Sequence, residues 1–234
     1  MNISIQQLKT NLTHIESLIQ QATTKRKTHQ TSPINLIAVT KYTSPEMMKK
    51  LYDLGIRDFG ENRTKQLLER MNLFQDQKDI RWHFIGNLQT RQVRSIINDI
   101  DYLHSLDRMR LVKEIQKRAN QPIKCFLQLN ISKEESKTGF AVEELDQVIK
   151  ELAHYDKIHI VGLMTMAPYD ALPNELHAIF NQLAYLQQQI QDLNLPYAPC
   201  TELSMGMSGD FMYAIEEGAT FIRIGSALFK EEQN

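Results

Sequence analysis

The sequence has only two cysteines, too few for a disulfide framework or a cysteine-based metal cluster. Cys125 lies inside the apolar run 123–129, and Cys200 lies in a proline-flanked loop. This usage fits a reducing cytoplasm and predicts no resident metal. The chain also shows no apolar run of the roughly 18 to 20 residues that a membrane helix needs, and no charged and then apolar leader at its start. We therefore expect a soluble cytoplasmic protein.

Neither sign of charge is in excess. Twenty-seven lysines and arginines stand against 28 aspartates and glutamates, which leaves a formal net charge of -1. No overall field favours nucleic acid or an anionic membrane, so the expected partners are small molecules or proteins. No Pro/Gly/Ser-rich linker divides the chain either. We expect one domain over residues 1–234.

The N-terminal segment has the spacing of an amphipathic helix. Ile5, Leu8 and Leu12 begin a set of apolar residues that recur every three or four positions. Ser4 and Gln7 stand at the spacing of a capping box, so the helix is predicted over about 4–22. A polar, basic connector then leads to the first apolar strand.

From residue 34 to about 230, short apolar runs alternate with longer amphipathic ones. Strands are predicted at 34–41, 58–62, 80–86, 102–106, 123–130, 158–167, 201–204 and 221–225. Helices are predicted between them, including one over 107–120 capped by Asp107. Eight strands separated by helices indicate the α/β class and a single parallel (β/α)8 barrel of the TIM type, with the additional N-terminal helix. An open doubly wound sheet is the alternative, but it would have to be unusually wide.

In such barrels the active site lies at the C-terminal ends of the strands, and phosphate is commonly held by the loops after strands seven and eight. The loop 204–210 is made largely of glycines and small residues, which leave backbone N–H groups and hydroxyls free for an anion. Gly225 and Ser226 follow strand eight in the same way. Small residues also form ordinary turns, but their coincidence at both positions favours a phosphate site.

Two charged residues lie on apolar strands near these loops. Lys41 ends the first strand, where it either reaches out to water or, once deprotonated, acts as a Schiff-base nucleophile. Arg223 lies within the last strand and needs an acceptor, which is either a barrel carboxylate such as Glu61 or Glu202, or a ligand. A phosphate, a Schiff-base lysine and an acceptor for a buried arginine together describe pyridoxal 5'-phosphate (PLP). The phosphate would bind the last two loops, the aldehyde would react with Lys41, and the pyridine nitrogen would accept a hydrogen bond from Arg223.

A series of motifs in the order and spacing of a known family supports this interpretation. They are AVTK at 38–41, DFGEN at 58–62, WHFIG at 82–86 with LQ at 88–89, HSLDR at 104–108, QLNI at 128–131, ESKTG at 135–139, GLM at 162–164, SMGMS at 204–208 and RIGS at 223–226. Through them the chain resembles the PLP homeostasis protein family, whose barrel is similar to the barrel domain of alanine racemase. The resemblance runs from about residue 36 to 229.

The resemblance implies roles for individual residues. Lys41 would hold PLP as an internal aldimine and Arg223 would face the ring nitrogen. The residues implied to surround the phosphate are Ser204, Gly206, Gly225 and Ser226. Asn62, His83 and Met164 match the family at strand ends that face the cofactor, although a core histidine and a core methionine are the alternatives for the last two. Lys137 matches a lysine that captures PLP transiently or assists its transfer, against the alternative of a solvated surface lysine.

The implied function is intracellular PLP and amino-acid homeostasis by a PLP carrier, with PLP-dependent apoenzymes as acceptors. The family resemblance also suggests a monomer. Arginine cannot accept a proton and would leave the pyridine nitrogen unprotonated, which disfavours most PLP chemistry but not racemisation. Nothing after Phe229 matches the additional domain that supplies the second catalytic face in alanine racemase. The alternatives are an amino-acid racemase with Tyr42 or His83 as second base, and a phosphosugar barrel enzyme that uses a Schiff base without PLP.

Overall fold

Eight parallel strands close into a barrel in which each strand pairs with the next along the chain and the last pairs with the first. The structure is a computed structural model that describes residues 3–27, 32–132 and 138–231. The strands are β1 (Asn35–Val39), β2 (Asp58–Glu61), β3 (Arg81–Phe84), β4 (Tyr102–Leu106), β5 (Ile123–Gln128), β6 (Ile158–Met164), β7 (Glu202–Met207) and β8 (Phe221–Ile224). The predicted (β/α)8 barrel is confirmed.

Helices lead from one strand to the next. In the described ranges they are α1 (Ile5–Thr23), α2 (Pro45–Asp53), α3 (Thr64–Leu73), α4 (Val93–Ile96), α5 (Met109–Arg118), α6 (Leu145–Leu152), α7 (Pro173–Gln191) and α8 (Phe211–Glu216). Single 3₁₀ turns, Thr90–Gln92 and Val142–Glu144, precede α4 and α6. None of the helices in these ranges is both long and apolar enough to cross a membrane.

The predicted N-terminal helix is present, but only half of its capping box forms. The Ser4 hydroxyl accepts a hydrogen bond from the backbone N–H of Gln7 at 3.0 Å, as an N-cap does. The Gln7 side chain donates to Asn11 instead of returning to Ser4. Asn11 in turn donates to the carbonyls of Leu228 and Lys230, both at 2.9 Å. The helix is thereby tied to the end of the barrel chain.

Several predicted boundaries were wrong, including the end of strand six, which stops at Met164 rather than at residue 167, and three of them have a visible cause. β1 ends at Val39 because a turn begins at Thr40, whose carbonyl accepts from the N–H of Thr43 at 2.9 Å. β7 runs on to Met207, with a register shift against β8 that Gly206 accommodates at a φ of +91°. Helix α5 begins at Met109 rather than at an Asp107 cap, since Asp107 forms an ion pair with Arg108.

The inside of the barrel contains both apolar and polar side chains. Its apolar part is a cluster of Ile37, Phe126, Val161, Met164 and Phe221. The polar part includes two histidines that stack or pack against these rings. The larger core lies elsewhere and combines the apolar faces of the helices with outward-facing strand residues.

Gly162 lies where β6 and β7 pack closely against each other. A Cβ at this position would lie 1.9 Å from the carbonyl oxygen of Glu202, so Gly162→Ala has to push the two strands apart. We expect a loss of free energy of unfolding on the order of 3 kcal/mol, measured by urea denaturation. Gly209→Ala is the matched control because its Cβ would meet no atom within 4 Å. Equal stability of the two variants would contradict the described packing.

Candidate functional site

Lys41 lies in the turn that follows β1, at the C-terminal mouth of the barrel. Its backbone carbonyl accepts from the side chain of Gln66 at 2.9 Å, and its side chain is partly buried. The ammonium nitrogen lies 5.1 Å from the centre of the Tyr42 ring, which is itself 72% exposed. Lys41 is therefore held by its backbone while its amine remains at the mouth.

A buried ion pair holds the turn that carries Lys41. Arg70 Nε lies 3.0 Å from Glu61 Oε1, and both side chains are almost completely buried. Arg70 also donates to the carbonyls of Thr40 and Thr43 at 3.0 and 2.6 Å. The Thr40 hydroxyl donates to Glu61 at 2.5 Å. Burial raises the pKa of Glu61 against the opposing effects of Thr40 and Arg70, so the carboxylate depends on these partners for its charge.

Arg223 is buried without an ion pair. Its guanidinium donates to the Ser204 hydroxyl at 2.6 Å and to the Thr165 carbonyl at 3.0 Å, and both acceptors are uncharged. Within the part of the chain that the structure describes, no carboxylate lies within ion-pair distance of it. Burial lowers the pKa of Arg223 to about 10, partly opposed by the charge of Asp210, so the side chain remains a cation at neutral pH.

The two carboxylates that the sequence offered to Arg223 have other neighbours. Glu61 pairs with Arg70 on the other side of β1, and Glu202 accepts a hydrogen bond from Thr201 at 3.1 Å. Of the two alternatives for Arg223, the salt bridge to one of these carboxylates does not form in the described part of the chain. Glu202 is the first residue of β7, and it lines the cavity at the N-terminal ends of the strands, opposite the mouth.

Ser204 and His83 lie inside the barrel, not at its mouth. The Ser204 hydroxyl contacts Arg223 and, at 2.8 Å, His104 Nδ1. The sequence placed Ser204 where strand seven ends and the loop begins, whereas in the structure it lies within β7. His83 is completely buried, stacks on the Tyr102 ring, and has both ring nitrogens in hydrogen bonds, to Asp58 and to His104. Burial lowers the pKa of His83 against the effect of Asp58.

The loops after β7 and β8 are joined through Ser208. Its hydroxyl accepts from the backbone N–H groups of Gly225 and Ala227, both at 3.2 Å. Gly206 is buried, and a Cβ there would lie 2.7 Å from the Ala214 side chain and 2.9 Å from Phe211. Ser226 is exposed at the start of the loop after β8. Hydroxyls and glycines thus lie together on one side of the mouth, while the N–H groups of Gly225 and Ala227 already donate to Ser208.

The remaining predicted residues differ in their surroundings. Asn62 follows β2 and is partly buried; its side-chain oxygen is shielded from water and has no hydrogen-bond partner in the described ranges. Met164 ends β6 and packs in the interior apolar cluster beneath the mouth. Lys137 lies outside the described residues.

A cavity of about 410 Å³ lies at the other end of the barrel. Its lining includes Asn35, Arg81, Tyr102, Lys124 and His159, which stand at or near the first residues of their strands. Active sites of this fold lie at the opposite ends of the strands. The cavity therefore does not mark the candidate site, which is an open mouth. One of its lining residues, Arg81, is the ion-pair partner of Asp58.

Comparison with known proteins identifies the class of this barrel. The family model "Alanine racemase, N-terminal domain" matches residues 3–233. Alanine racemase of Corynebacterium glutamicum has the same fold, with a TM-score of 0.71 at 16% identity, over 99% of this chain and 63% of that enzyme. The fold and the matched family model define a barrel of the alanine racemase N-terminal class.

More similar relatives narrow the class. The pyridoxal phosphate homeostasis protein of Aquifex aeolicus is 37% identical over 204 residues, which are 85% of this chain and 87% of that protein. The Escherichia coli K12 protein of the same name is 32% identical over 94% of each chain. PipY of Synechococcus elongatus PCC7942 is 30% identical. Its PLP-bound structure superposes with a TM-score of 0.79, and the match covers 95% of this chain and 100% of PipY. The chain belongs to the family of pyridoxal phosphate homeostasis proteins.

The contacts of Arg70 with Glu61 and with the carbonyls of Thr40 and Thr43, which we call the Arg70 clamp, predict that removal of Arg70 lowers stability in a pH-dependent way. Arg70→Met leaves Glu61 buried without a cation, which costs about 3 to 5 kcal/mol of unfolding free energy at neutral pH. Because the pKa of Glu61 in the folded state is raised, folding takes up a proton, and the loss should shrink as the pH falls towards the pKa of Glu61 in the unfolded chain. Urea denaturation at pH values of about 5 and 8 measures the difference.

Two variants control this measurement. Glu61→Gln in the Arg70→Met background removes the unpaired charge and should recover part of the stability and abolish its pH dependence. Lys49→Met breaks an exposed ion pair with Asp53 on α2 and should change little at either pH. A deficit of Arg70→Met that is the same at both pH values would contradict the clamp.

Proposed function

We propose that this chain binds PLP at the C-terminal mouth of the barrel and serves as a carrier in intracellular PLP and amino-acid homeostasis. The observation that carries the proposal is Arg223, a buried cation whose described hydrogen bonds go only to uncharged oxygens. They use two of the five N–H groups of a guanidinium. A pyridine nitrogen is an uncharged acceptor that suits one of the others. The relatives' name and the PLP-bound structure of PipY support this choice of ligand.

Lys41 is the proposed covalent anchor. β1 pairs with both β2 and β8, so the turn after β1 lies beside the ends of the strands that carry Asn62 and Arg223. When the amine is deprotonated, its lone pair adds to the aldehyde carbon of PLP, and the aldehyde oxygen leaves as water, which gives a Schiff base. The hydrogen bonds from Arg70 and Gln66 to the backbone of the turn fix the point from which the Lys41 side chain extends.

The phosphate is proposed to bind the two loops on the β7–β8 side. Gly206 lies near the end of β7 on that side, and Gly225 and Ser226 follow β8. The Ser208 hydroxyl accepts from two backbone N–H groups of the second loop and can still donate its own proton to the phosphate. The orphaned side-chain oxygen of Asn62 is suited to accept a hydrogen bond from the ring substituents, and Met164 supports the site from below. Ser204 and His83 act inside the barrel in this proposal, not on the phosphate or the ring.

Several features favour a carrier over an enzyme. Arg223 donates to the ring nitrogen and cannot protonate it further, so the ring is a weak electron sink. Turnover of an amino acid also needs an acid and a base at the reacting carbon. His83 cannot serve, because it is buried with both nitrogens in hydrogen bonds. The proposed recipients of the cofactor are PLP-dependent apoenzymes, and the proposed working form is a cytoplasmic monomer.

Racemase activity remains a second candidate because of Tyr42. The centre of its exposed ring lies 5.1 Å from the amine of Lys41, which makes Tyr42 an acid–base group close to the proposed anchor; to act as the second base it has to reach the face of the reacting carbon opposite Lys41. Stereochemical turnover of amino acids by the purified protein and by Tyr42→Phe distinguishes the two functions. Turnover that is lost in Tyr42→Phe would establish the racemase, whereas the carrier proposal expects none in either protein.

The anchor is tested by a visible spectrum, borohydride reduction and peptide mapping. We expect a Schiff-base absorption band on addition of PLP and a reduced pyridoxyl adduct on Lys41, because its amine is the one held at the mouth. Both should be absent in Lys41→Ala and retained in Lys49→Ala, which removes an exposed lysine of α2.

Other outcomes exclude the proposal in different ways. An adduct found only on Lys137 would overturn the assignment of the anchor. A protein that stays colourless with PLP would favour a phosphosugar enzyme that uses Lys41 without PLP.

A further inference from the structure

A continuous series of hydrogen bonds crosses the inside of the barrel and ends on Arg223. Asp58 Oδ1 lies 2.9 Å from His83 Nε2, and His83 Nδ1 lies 3.0 Å from His104 Nε2. His104 Nδ1 lies 2.8 Å from the Ser204 hydroxyl, which accepts from Arg223 at 2.6 Å. We call these five residues the interior chain. Its three middle members are completely buried.

The chemistry of the two ends fixes the direction of every bond. Asp58 is ionised, because hydrogen bonds from Arg81 and His83 outweigh the effect of burial and lower its pKa, so it can only accept. His83 must then donate from Nε2. Arg223 can only donate, so the Ser204 oxygen accepts from it and its own proton is free to go to His104.

The two histidines complete the series when each carries one proton. A neutral His83 with its proton on Nε2 accepts at Nδ1, and His104 therefore donates from its Nε2. His104 Nδ1 is then an acceptor for the Ser204 hydroxyl. Every donor and acceptor between Arg223 and Asp58 is satisfied, and each member donates to the next.

We propose that the interior chain is a one-way series of donors that positions Arg223 from below, with both histidines neutral and protonated on Nε2. Because the Ser204 hydroxyl donates a hydrogen bond to His104, its oxygen becomes a better acceptor for the guanidinium, since polarised hydrogen bonds reinforce one another. Asp58, near the far end of the barrel, thereby influences the group at the mouth. The consequence for the cofactor rests on the proposed function, whereas the proton arrangement does not.

A protonated His83 is the principal alternative arrangement. It would donate to both Asp58 and His104, which reverses the middle of the chain and leaves the Ser204 proton without its acceptor. Asp58 and the nearby Asp101 favour this cation, while Arg81 and complete burial oppose it. Burial, and then the charges of His83 and Arg223, hold the pKa of His104 well below its ordinary range. The Tyr102 ring, stacked on His83, adds no charge.

Histidine NMR distinguishes the two arrangements without any cofactor. In full-length protein labelled with ¹⁵N and ¹³C histidine, long-range correlation spectra report the proton on each ring nitrogen. We expect His83 and His104 to be neutral with the proton on Nε2 from about pH 6 to about pH 9, and the exposed His14 supplies a reference signal in the same spectra. An imidazolium signal for His83, or a proton on Nδ1 of His104, would overturn the proposal.

Asp58→Ala tests the coupling along the chain. Loss of the charged acceptor removes the preference of His83 for Nε2, so both histidines should show mixed tautomers, including His104, which does not contact Asp58. His14 is the internal control. If His104 keeps a single tautomer in this variant, the interior chain is not a coupled unit. If the variant does not fold, the measurement on the unaltered protein still decides the direction of the hydrogen bonds.

A third measurement connects the chain to the cofactor. Ser204→Ala removes the acceptor of Arg223, and PLP affinity, followed by spectroscopic titration, should fall roughly tenfold. Ser204→Thr keeps the hydroxyl and should recover part of the affinity. If the affinity of Ser204→Ala is unchanged while the tautomers are as expected, the chain does not position Arg223. If the unaltered protein binds no PLP, the proposed function fails but the proton arrangement is unaffected.

Discussion

Burial of the positive charge of Arg223 is the constraint on which the rest of the site depends. A guanidinium removed from water is costly unless its N–H groups are satisfied and its charge is stabilised. Here the described partners are a hydroxyl and a backbone carbonyl, both uncharged. The charge of Asp210 favours the cation, and the interior chain connects the guanidinium through Ser204 and two histidines to Asp58. In the proposed function, the remaining N–H groups of the guanidinium bind an uncharged ring nitrogen.

The other buried arginine, Arg70, differs from Arg223 because it forms an ion pair. Arg70 pairs directly with Glu61 and binds two carbonyls of the turn after β1, so its charge is neutralised and its position fixed. It serves the backbone of Lys41. Arg223 lies opposite Ile37 in the pairing of β1 with β8, which brings it under the same turn. One arginine thus holds the proposed anchor in place, and the other remains available to the ligand.

The barrel could be predicted from the sequence because alternating apolar runs report strands and helices locally. Its inner contents could not, because the partners of a side chain inside a barrel come from strands far apart in sequence. Ser204 meets His104 across 100 positions, and His83 meets Asp58 across 25. The sequence therefore placed Ser204 at the start of the loop after strand seven, and the resemblance placed His83 at a strand end facing the cofactor. Lys41 and Arg223 were recognisable because a charge at the end of, or within, an apolar strand stands out without knowledge of its neighbours.

The central claim is that Arg223 donates to the ring nitrogen of PLP and leaves it unprotonated, so that the site holds the cofactor more readily than it uses it. The most direct measurement is the ¹⁵N chemical shift of the ring nitrogen in PLP labelled at that position and bound to the protein. The account predicts the shift of a neutral pyridine at neutral pH. The shift of a pyridinium would contradict it.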